Sequence, residues 1–486
     1  MHRLERISTI LSDLGDVFTF LAPVTCGPLI VAILFSEWGM IIPMAAVPFT
    51  FFVMGYLLGQ IPHFERGTRL STSMCSVALF WLACAVVSGI PFMLGLPMNF
   101  SDAVFEGMAG WTGTAYTMIP LVDTAPHTLL FWRSFMSWIG GIGFIAFSIA
   151  LAGSTGLLPS KLFRKESRDE PLMRSIVAVG REIWTIYAML TFVAVCLILF
   201  TGLPLWESVN LGLSAISTGG FCLHQGGISW YNSIFLELIL IPIMIAGALP
   251  FRLYYAIGRH RRLGFFFGDQ QVKVFFIALI TGTAVLAYDL IFFSNLETSK
   301  AVMQGLFMTV SALTTTGFQT SGLHSWASVT ILFLALLAFI GGSSGSTAGG
   351  IKLSRIVFSL RALLWWFRRH YTSGRVLMSF RVEGKNIARP TAELEAAKNI
   401  LVIILSAAVI IAGTLAFSMA YDSVHTFTGA LFEAVNAFSN TGFFTGQVTP
   451  LMPEFSKWIL TCLMWIGRLE VIPVVILAMA VLGRED

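Results

Sequence analysis

Four short stretches of this chain run from hydroxyl or amide residues into a small residue and then an aromatic. They are Thr112-Gly113-Thr114-Ala115-Tyr116, Ser217-Thr218-Gly219-Gly220-Phe221, Thr314-Thr315-Thr316-Gly317-Phe318 and Ser439-Asn440-Thr441-Gly442-Phe443. These residues supply carbonyl and hydroxyl oxygens but no strong acid, base or nucleophile, so the chemistry within their reach is ligation of a hard cation. A ring of backbone carbonyls from four loops can replace the hydration shell of a potassium ion. Pointing successive carbonyls inward demands unusual backbone dihedrals, which glycine reaches freely and other residues only at a cost. Gly220, Gly317 and Gly442 stand at equivalent places for this purpose, and the Thr and Ser residues before them can add hydroxyl oxygens at the cytoplasmic end. The first four residues of each stretch form the expected filter, with Thr112, Gly113, Thr218, Gly219, Thr315, Thr316, Asn440 and Thr441 as expected ion ligands. Ala115 breaks the pattern. Alanine at positive φ costs about 1 kcal/mol, so the first strand is expected to be distorted or held by its neighbours.

Such loops need scaffolding at membrane depth, and the flanking sequence provides it. Apolar runs beginning near 101, 206, 300 and 425 lead into the four stretches and are too short to span a bilayer. They read as re-entrant helices, whose C-terminal, partially negative ends would favour a cation. Ten longer runs surround them, near 17–36, 40–60, 73–97, 130–153, 183–203, 230–251, 273–294, 326–369 (interrupted), 397–420 and 456–482. The expected fold is an all-α polytopic membrane protein. Four pseudo-repeated units, each helix, re-entrant pore helix, filter loop and helix, surround one central pore. The expected divisions are an N-terminal transmembrane hairpin at 1–71, a first repeat with a cytoplasmic connector at 72–181, and a second repeat at 182–270. A third repeat with a gating loop and connector follows at 271–395, and a fourth at 396–486. Glycine and threonine in apolar helices also serve close helix packing. A fourfold occurrence in register behind short helices argues for the filter instead.

Composition agrees with a membrane protein. Hydrophobic residues make up 56% and charged residues 12% of the chain, against about 25% charged in soluble domains; the mean hydropathy is +0.80. The net charge of +4 reads as topology. Arg66 and Arg69; Lys161, Arg164, Lys165, Arg168, Arg174 and Arg181; Arg252, Arg259, Arg261 and Arg262; and Arg361, Arg368, Arg369, Arg375, Arg381, Lys385 and Arg389 all fall on one side of a ten-span arrangement. The positive-inside rule makes that side cytoplasmic. Both termini are then cytoplasmic, the four loops enter from outside, and the scattered cations give no nucleic-acid site. No cleavable signal is read at the N-terminus. Pro171 and Pro390 help end helices at the two connectors, neither of which is long enough for a soluble domain. The six cysteines, Cys26, Cys75, Cys84, Cys196, Cys222 and Cys462, form no Cys-x-x-Cys pair and read as small buried hydrophobes rather than disulfide or metal ligands.

Two features interrupt the apolar pattern. Residues 341–350, Gly-Gly-Ser-Ser-Gly-Ser-Thr-Ala-Gly-Gly, cannot stay helical cheaply at about 1 kcal/mol per glycine. Gly345 and Gly350 have the spacing of a nucleotide-binding P-loop, but Ile351 stands in place of its lysine, which rules that reading out. A kink at this depth should face a cavity, and a mobile flap under a filter can gate it. The second feature is Arg468, within the last apolar run. A charge there normally faces the protein interior. It acts either as a barrier to cations in the path or as the partner of Glu470 or another carboxylate. Arg133, near the outer end of its run, reads as an interfacial anchor.

These motifs resemble the Trk/Ktr/HKT superfamily of potassium transporters, and its TrkH branch in particular, over nearly the whole chain including the N-terminal hairpin. The resemblance implies potassium uptake across a prokaryotic cell (inner) membrane, with homodimers and one filter strand per repeat. It implies that the glycine-rich stretch is the gating loop, with Gly345, Gly349, Gly350, Lys352 and a pore-facing Arg468 as gating residues. It also implies a cytosolic ring similar to TrkA as regulatory partner, which would carry the nucleotide; K+ is the bound and transported ion and no covalent cofactor is implied. In plant members, serine at the place of Ala115 accompanies sodium permeability, so the resemblance opens a mixed K+/Na+ selectivity. The sequence does not reveal whether Ala115 is natural or engineered. A sodium- or proton-coupled symporter would need carboxylates in the pathway, and the spans hold few: Glu237, Asp289 and Glu470. A membrane enzyme would need a convergent set of catalytic side chains, and the spacing offers none.

Overall fold

The computed structural model describes residues 3–62, 70–154, 172–261, 264–323, 326–371, 380–382, 385–420 and 426–482. Arg66, Arg69, Lys161, Arg164, Lys165, Arg168, Pro171, Arg262 and Arg375, used above for orientation and helix ends, lie outside the described residues.

The chain opens with α1 (Arg3–Val24) and α2 (Gly27–Leu34), followed by α3 (Ile41–Gly59). α1 and α3 pack side by side. The approach is close because a side chain at Gly15 would meet the backbone of Gly59 at 2.6 Å, and one at Gly55 the backbone of Thr19 at 2.7 Å. Small residues at a helix contact are how membrane helices gain packing without a hydrophobic driving force.

Four units of common plan follow. The first is α4 (Leu70–Gly95), the short α5 (Phe100–Thr112) and α6 (His127–Ser154); the second is α7 (Leu172–Leu199), the short α8 (Leu205–Ile216), then α9 (Ile234–Ala248) and α10 (Phe251–His260). After α11 (Gly264–Gly268), the third comprises α12 (Gln270–Phe292), the short α13 (Thr298–Leu313), α14 (Ser328–Ile340) and α15 (Leu353–Tyr371). The fourth is α16 (Arg389–Ala420), the short α17 (Phe427–Ser439), α18 (Glu454–Leu469) and α19 (Ile472–Val481). Among the described residues the only strands are β1 (Phe380–Val382) and β2 (Lys385–Ile387), an antiparallel pair with Phe380 opposite Ile387. The fold is otherwise helical, as the sequence implied.

Seven helices among the described residues are long and apolar enough to span. Two further apolar stretches are bent pairs: α9 turns 91° into α10, which extends past the run expected at 230–251, and α18 turns 112° into α19 inside the run expected at 456–482. Pro250 and Pro473 sit at these corners. Proline removes a helical donor and crowds the preceding turn, and the neighbouring Glu470 adopts a left-handed φ of 58°. The third interrupted run is α14 and α15, parted by the glycine-rich stretch.

The four units form a closed cycle. α6 packs on α8, α9 on α13, α14 on α17, and α18 on α5, so each second helix supports the short helix of the next unit.

Candidate functional site

The short helices end alike. The backbone N–H groups of Thr114, Gly219, Thr316 and Thr441 donate to carbonyls five residues back, on Ala109, Ser214, Ser311 and Asn436, at 2.8–3.0 Å. This is the Schellman pattern, and its left-handed position is taken by Gly113 (φ 69°), Thr218 (51°), Thr315 (54°) and Asn440 (56°). Two residues later Gly220 (66°), Gly317 (82°) and Gly442 (75°) are left-handed again, as the glycine pattern implied. Ala115 is not. It sits instead at the centre of a three-residue turn in which Tyr116 N–H donates to the Thr114 carbonyl at 2.7 Å. The expectation of an alanine at positive φ is therefore replaced by a locally different strand, which removes the steric cost and ties up one carbonyl.

The loops meet around one axis. A side chain at Gly220 would collide with the carbonyl oxygen of Thr316, one at Gly317 with that of Thr441, and one at Gly442 with the backbone nitrogen of Ala115. One at Gly113 would touch Gly219 Cα at 3.5 Å, which closes the cycle. The Ala115 methyl lies where a side-chain carbon at Gly220 or at Gly317 would meet it, at 2.9 and 3.5 Å. It thus points toward both the adjacent and the opposite strand. Ala115 is half-buried, whereas the three glycines at its level are buried.

A second layer is built from hydroxyls. Thr112 pairs with Thr114 (2.9 Å), Thr314 with Thr316 (2.7 Å) and Ser439 with Thr441 (2.9 Å). The second loop has no side chain at Gly219, and Ser217 pairs with Ser137 of α6 at 2.9 Å instead. A side chain at Gly219 would collide with the Ser137 hydroxyl, so a serine from the first unit fills the gap in the second. No spacing rule in the sequence marked Ser137. Asn440 adds a link between units by donating to the Thr114 hydroxyl at 3.1 Å and to the Met464 carbonyl at 3.0 Å.

The glycine-rich stretch lies against the start of these loops, at Thr218, Thr315 and Ser439. Gly349 N–H donates to the Thr315 hydroxyl at 2.6 Å, and a side chain at Gly349 would collide with the Ser439 carbonyl. The Thr347 hydroxyl is within 3.2 Å of the Thr218 hydroxyl and donates to the carbonyls of Ile216 (3.1 Å) and Gly247 (2.9 Å). The stretch therefore touches the second, third and fourth loops. Gly345 (φ 76°) accepts from Phe251 N–H at 3.0 Å and leaves open space where a side chain would stand, while Gly350 (φ 74°) folds back on Gly341.

Three cations gather here. Arg468, 2% exposed, donates to the carbonyls of Thr347 (3.0 Å) and Gly140 (3.1 Å). Its guanidinium lies 4.5 Å from the Phe144 ring centre, and the Lys352 ammonium 4.7 Å from the same ring, which supplies cation–π stabilisation. Lys352 also donates to the Ala348 carbonyl. Glu470 pairs with Arg355, so the alternative of an Arg468–Glu470 pair is corrected. Arg133 is corrected too. It is buried, pairs with Glu106 at 2.8 Å, and lies over Phe221 at 4.8 Å. The carboxylate and the ring offset the cost of burying the guanidinium, so it is no interfacial anchor.

The TrkH family profile, described as cation transport protein, matches residues 45–485. A protein of Methanocaldococcus jannaschii named as an uncharacterized cation transporter is 30% identical over 97% of this chain and 95% of its own. The Trk system potassium uptake protein TrkH of Halomonas elongata is 26% identical over 96% of this chain and 97% of its own. That of Escherichia coli K12 is 28% identical over 90% and 92%. In three dimensions the chain is similar to the crystal structure of the potassium transporter TrkH from Vibrio parahaemolyticus, with a TM-score of 0.84, 23% identity, and coverage of 97% and 98%. At that identity the likeness speaks for the fold. With the apolar helices it makes the chain a multi-pass membrane protein, and the profile match makes it a member of the TrkH family of cation transport proteins.

Proposed function

We propose that this protein takes potassium into the cell through a channel-like pore whose filter is the ring of four loops. The observation that carries the reading is the cyclic contact of those loops, Gly113 on Gly219, Gly220 on Thr316, Gly317 on Thr441 and Gly442 on Ala115. Backbone oxygens converging on one axis can take the place of water around K+, with the ligands at Thr112, Gly113, Thr218, Gly219, Thr315, Thr316, Asn440 and Thr441. The names of the Halomonas and Escherichia relatives, potassium uptake proteins, support K+ as cargo. Inward movement follows the membrane potential, at about 2.3 kcal/mol per charge per 100 mV. The stretch from Gly341 to Lys352 is the gate, held shut under the filter by Thr347 and Gly349, with Arg468 and Lys352 as a positive barrier. The repeat boundaries read from the sequence, cytoplasmic termini, a homodimer and a cytosolic TrkA-like ring belong to the same proposal.

The Ala115 turn favours a second reading, a pore of mixed K+/Na+ selectivity, because one of the four strands spends a carbonyl on its own backbone. The test is flux in liposomes with K+, Rb+ and Na+ gradients. Current reversing at the K+ equilibrium potential, indifferent to a proton gradient, is expected. Flux that needs a Na+ or H+ gradient would replace the channel by a symporter.

A further inference from the structure

Two acidic side chains are fully buried in the short helices, and the pathway above does not use them. Glu106 in α5 and Glu433 in α17 stand at the same place, six residues before Thr112 and Ser439; Leu211 and Met308 hold that place in α8 and α13. A carboxylate cannot be buried cheaply unless its oxygens are bonded, so the bonding partners show what these residues hold. Glu106 accepts from the Thr117 hydroxyl (3.0 Å), from Met118 N–H (2.7 Å) and from Arg133 (2.8 Å). Glu433 accepts from the hydroxyls of Tyr116 and Thr445. All three residues that follow Ala115 are therefore bonded to a glutamate, Tyr116 to that of the neighbouring fourth unit and Thr117 and Met118 to that of their own. The second and third strands, which carry the glycine, have Phe221 and Phe318 in place of Tyr116 and an apolar residue in place of the acid.

We infer that Glu433, bonded to Tyr116 and assisted by Glu106, is a positioning residue for the first filter strand, and that this bond tunes which alkali cation passes. In three strands glycine fixes the course of the backbone. In the first, side-chain bonds at its outer end do so, and they set how far the Ala115 methyl reaches toward the axis. The inference rests on the reading of these loops as the filter.

The experiment measures K+/Na+ permeability ratios from reversal potentials in liposomes for the wild type, Tyr116→Phe, Ala115→Gly and the double variant. Tyr116→Phe removes one oxygen and keeps the ring, so the protein should keep its amount and melt within about 2–4 °C of the wild type. Loss of the buried Tyr116–Glu433 hydrogen bond is expected to lower the ratio about three-fold or more, a change that a merely structural role would not produce. In the Ala115→Gly background the same substitution should change the ratio by less than about half that factor on a logarithmic scale, because glycine frees the strand from its dependence on the bond. A ratio unmoved by Tyr116→Phe in folded protein, or an equal drop in both backgrounds, would overturn the inference. Should Tyr116→Phe fail to fold, Glu433→Gln carries the same two criteria. A conducting wild type with an indifferent Tyr116→Phe removes only this inference; a wild type that passes no K+ removes the filter reading along with it.

Discussion

The first unit and the other three solve one problem in different ways. Units two, three and four carry Gly220, Gly317 and Gly442 at the left-handed position, and their second helices are all broken, at Pro250, at the glycine-rich stretch and at Glu470. The first unit has Ala115 in a three-residue turn, and its second helix, α6, runs unbroken from His127 to Ser154. It also lends parts to its neighbours. Ser137 completes the hydroxyl layer of the second loop, and Gly140 and Phe144 receive Arg468. The lesson is that four units can close one ring of loops without their loops or their second helices being alike. One unit can serve as a rigid post, its strand fixed by side chains, while the other three supply intrinsic backbone freedom and bends.

The largest effect expected from this contrast is at glycine. Gly317→Ala forces a methyl into the Thr441 carbonyl at φ 82°, and steric strain of about 1–2 kcal/mol plus the clash should cut K+ uptake about ten-fold or more. The converse, Ala115→Gly, should raise K+ over Na+ discrimination about two- to five-fold, since it restores the conformational freedom of the other strands. Rubidium uptake and reversal potentials in liposomes measure both. Equal tolerance of alanine at positions 115 and 317 would erase the distinction between the strands.

Next in size is Arg468→Ala. It removes a buried positive charge from beside the glycine-rich stretch and both bonds that tie Thr347 and Gly140 together. Potassium flux is expected to rise about three- to ten-fold. Unchanged or slower flux in well-folded protein would show that the guanidinium is a brace only, and would leave the gate to Gly349 and Lys352.

Much of this was legible from residue types. The ten apolar runs, the four short helices and the left-handed glycines follow from hydropathy length and from the scarcity of side chains that tolerate positive φ. The corners were not. Pro250 and Pro473 signal helix ends, but the run through Pro473 is apolar on both sides and hides a turn of 112°, and the turn of 91° at Pro250 leads into a helix whose Arg252 and Arg259 read as a loop. Arg133 was misread because a cation near a span end usually snorkels to water, and only the tertiary placement of Glu106 opposite it reverses that. Glu433 is the one acid of its short apolar helix and Glu106 shares its own with Asp102, a pattern that by itself does not tell a lipid-facing charge from a buried tie. Ser137 had no local signal at all, since its role is to fill space left by Gly219, 82 residues away in the sequence and adjacent only in the fold.

That substitution of one unit's side chain for another's is open to a direct check. Ser137→Ala leaves Ser217 without its hydroxyl partner in a buried layer, at a cost of about 1 kcal/mol. The second strand should loosen, and K+/Na+ discrimination should fall about two-fold with little change in protein amount. Ser137→Thr, which restores the hydroxyl but adds a methyl against a packed helix, separates loss of the bond from loss of fit. If Ser137→Ala behaves as wild type, the second loop needs no hydroxyl and the parallel with the Thr112, Thr314 and Ser439 pairs is only formal.

The smallest expected effect lies at the start of α6, where the N-terminal hairpin holds it. Glu37 lies between the first two spans, accepting from His127 N–H (2.7 Å), Thr128 N–H (2.9 Å) and the Thr128 hydroxyl (2.6 Å), with the His127 ring at 3.0 Å. Burial pushes its carboxyl upward, but the hydrogen bonds from Thr128 and His127 together outweigh burial and hold it below the usual carboxylate range. A carboxylate with a lowered folded value stabilises the fold above its ordinary range, and that contribution is lost as pH falls through the folded value. Glu37→Gln should therefore lower the melting temperature at pH 7 by about 1–2 °C, and the gap between variant and wild type should close below about pH 4. A gap that persists unchanged in acid would mean that Glu37 acts through packing against the start of α6. The charge at the helix N-terminus would then contribute nothing to holding the first unit in place.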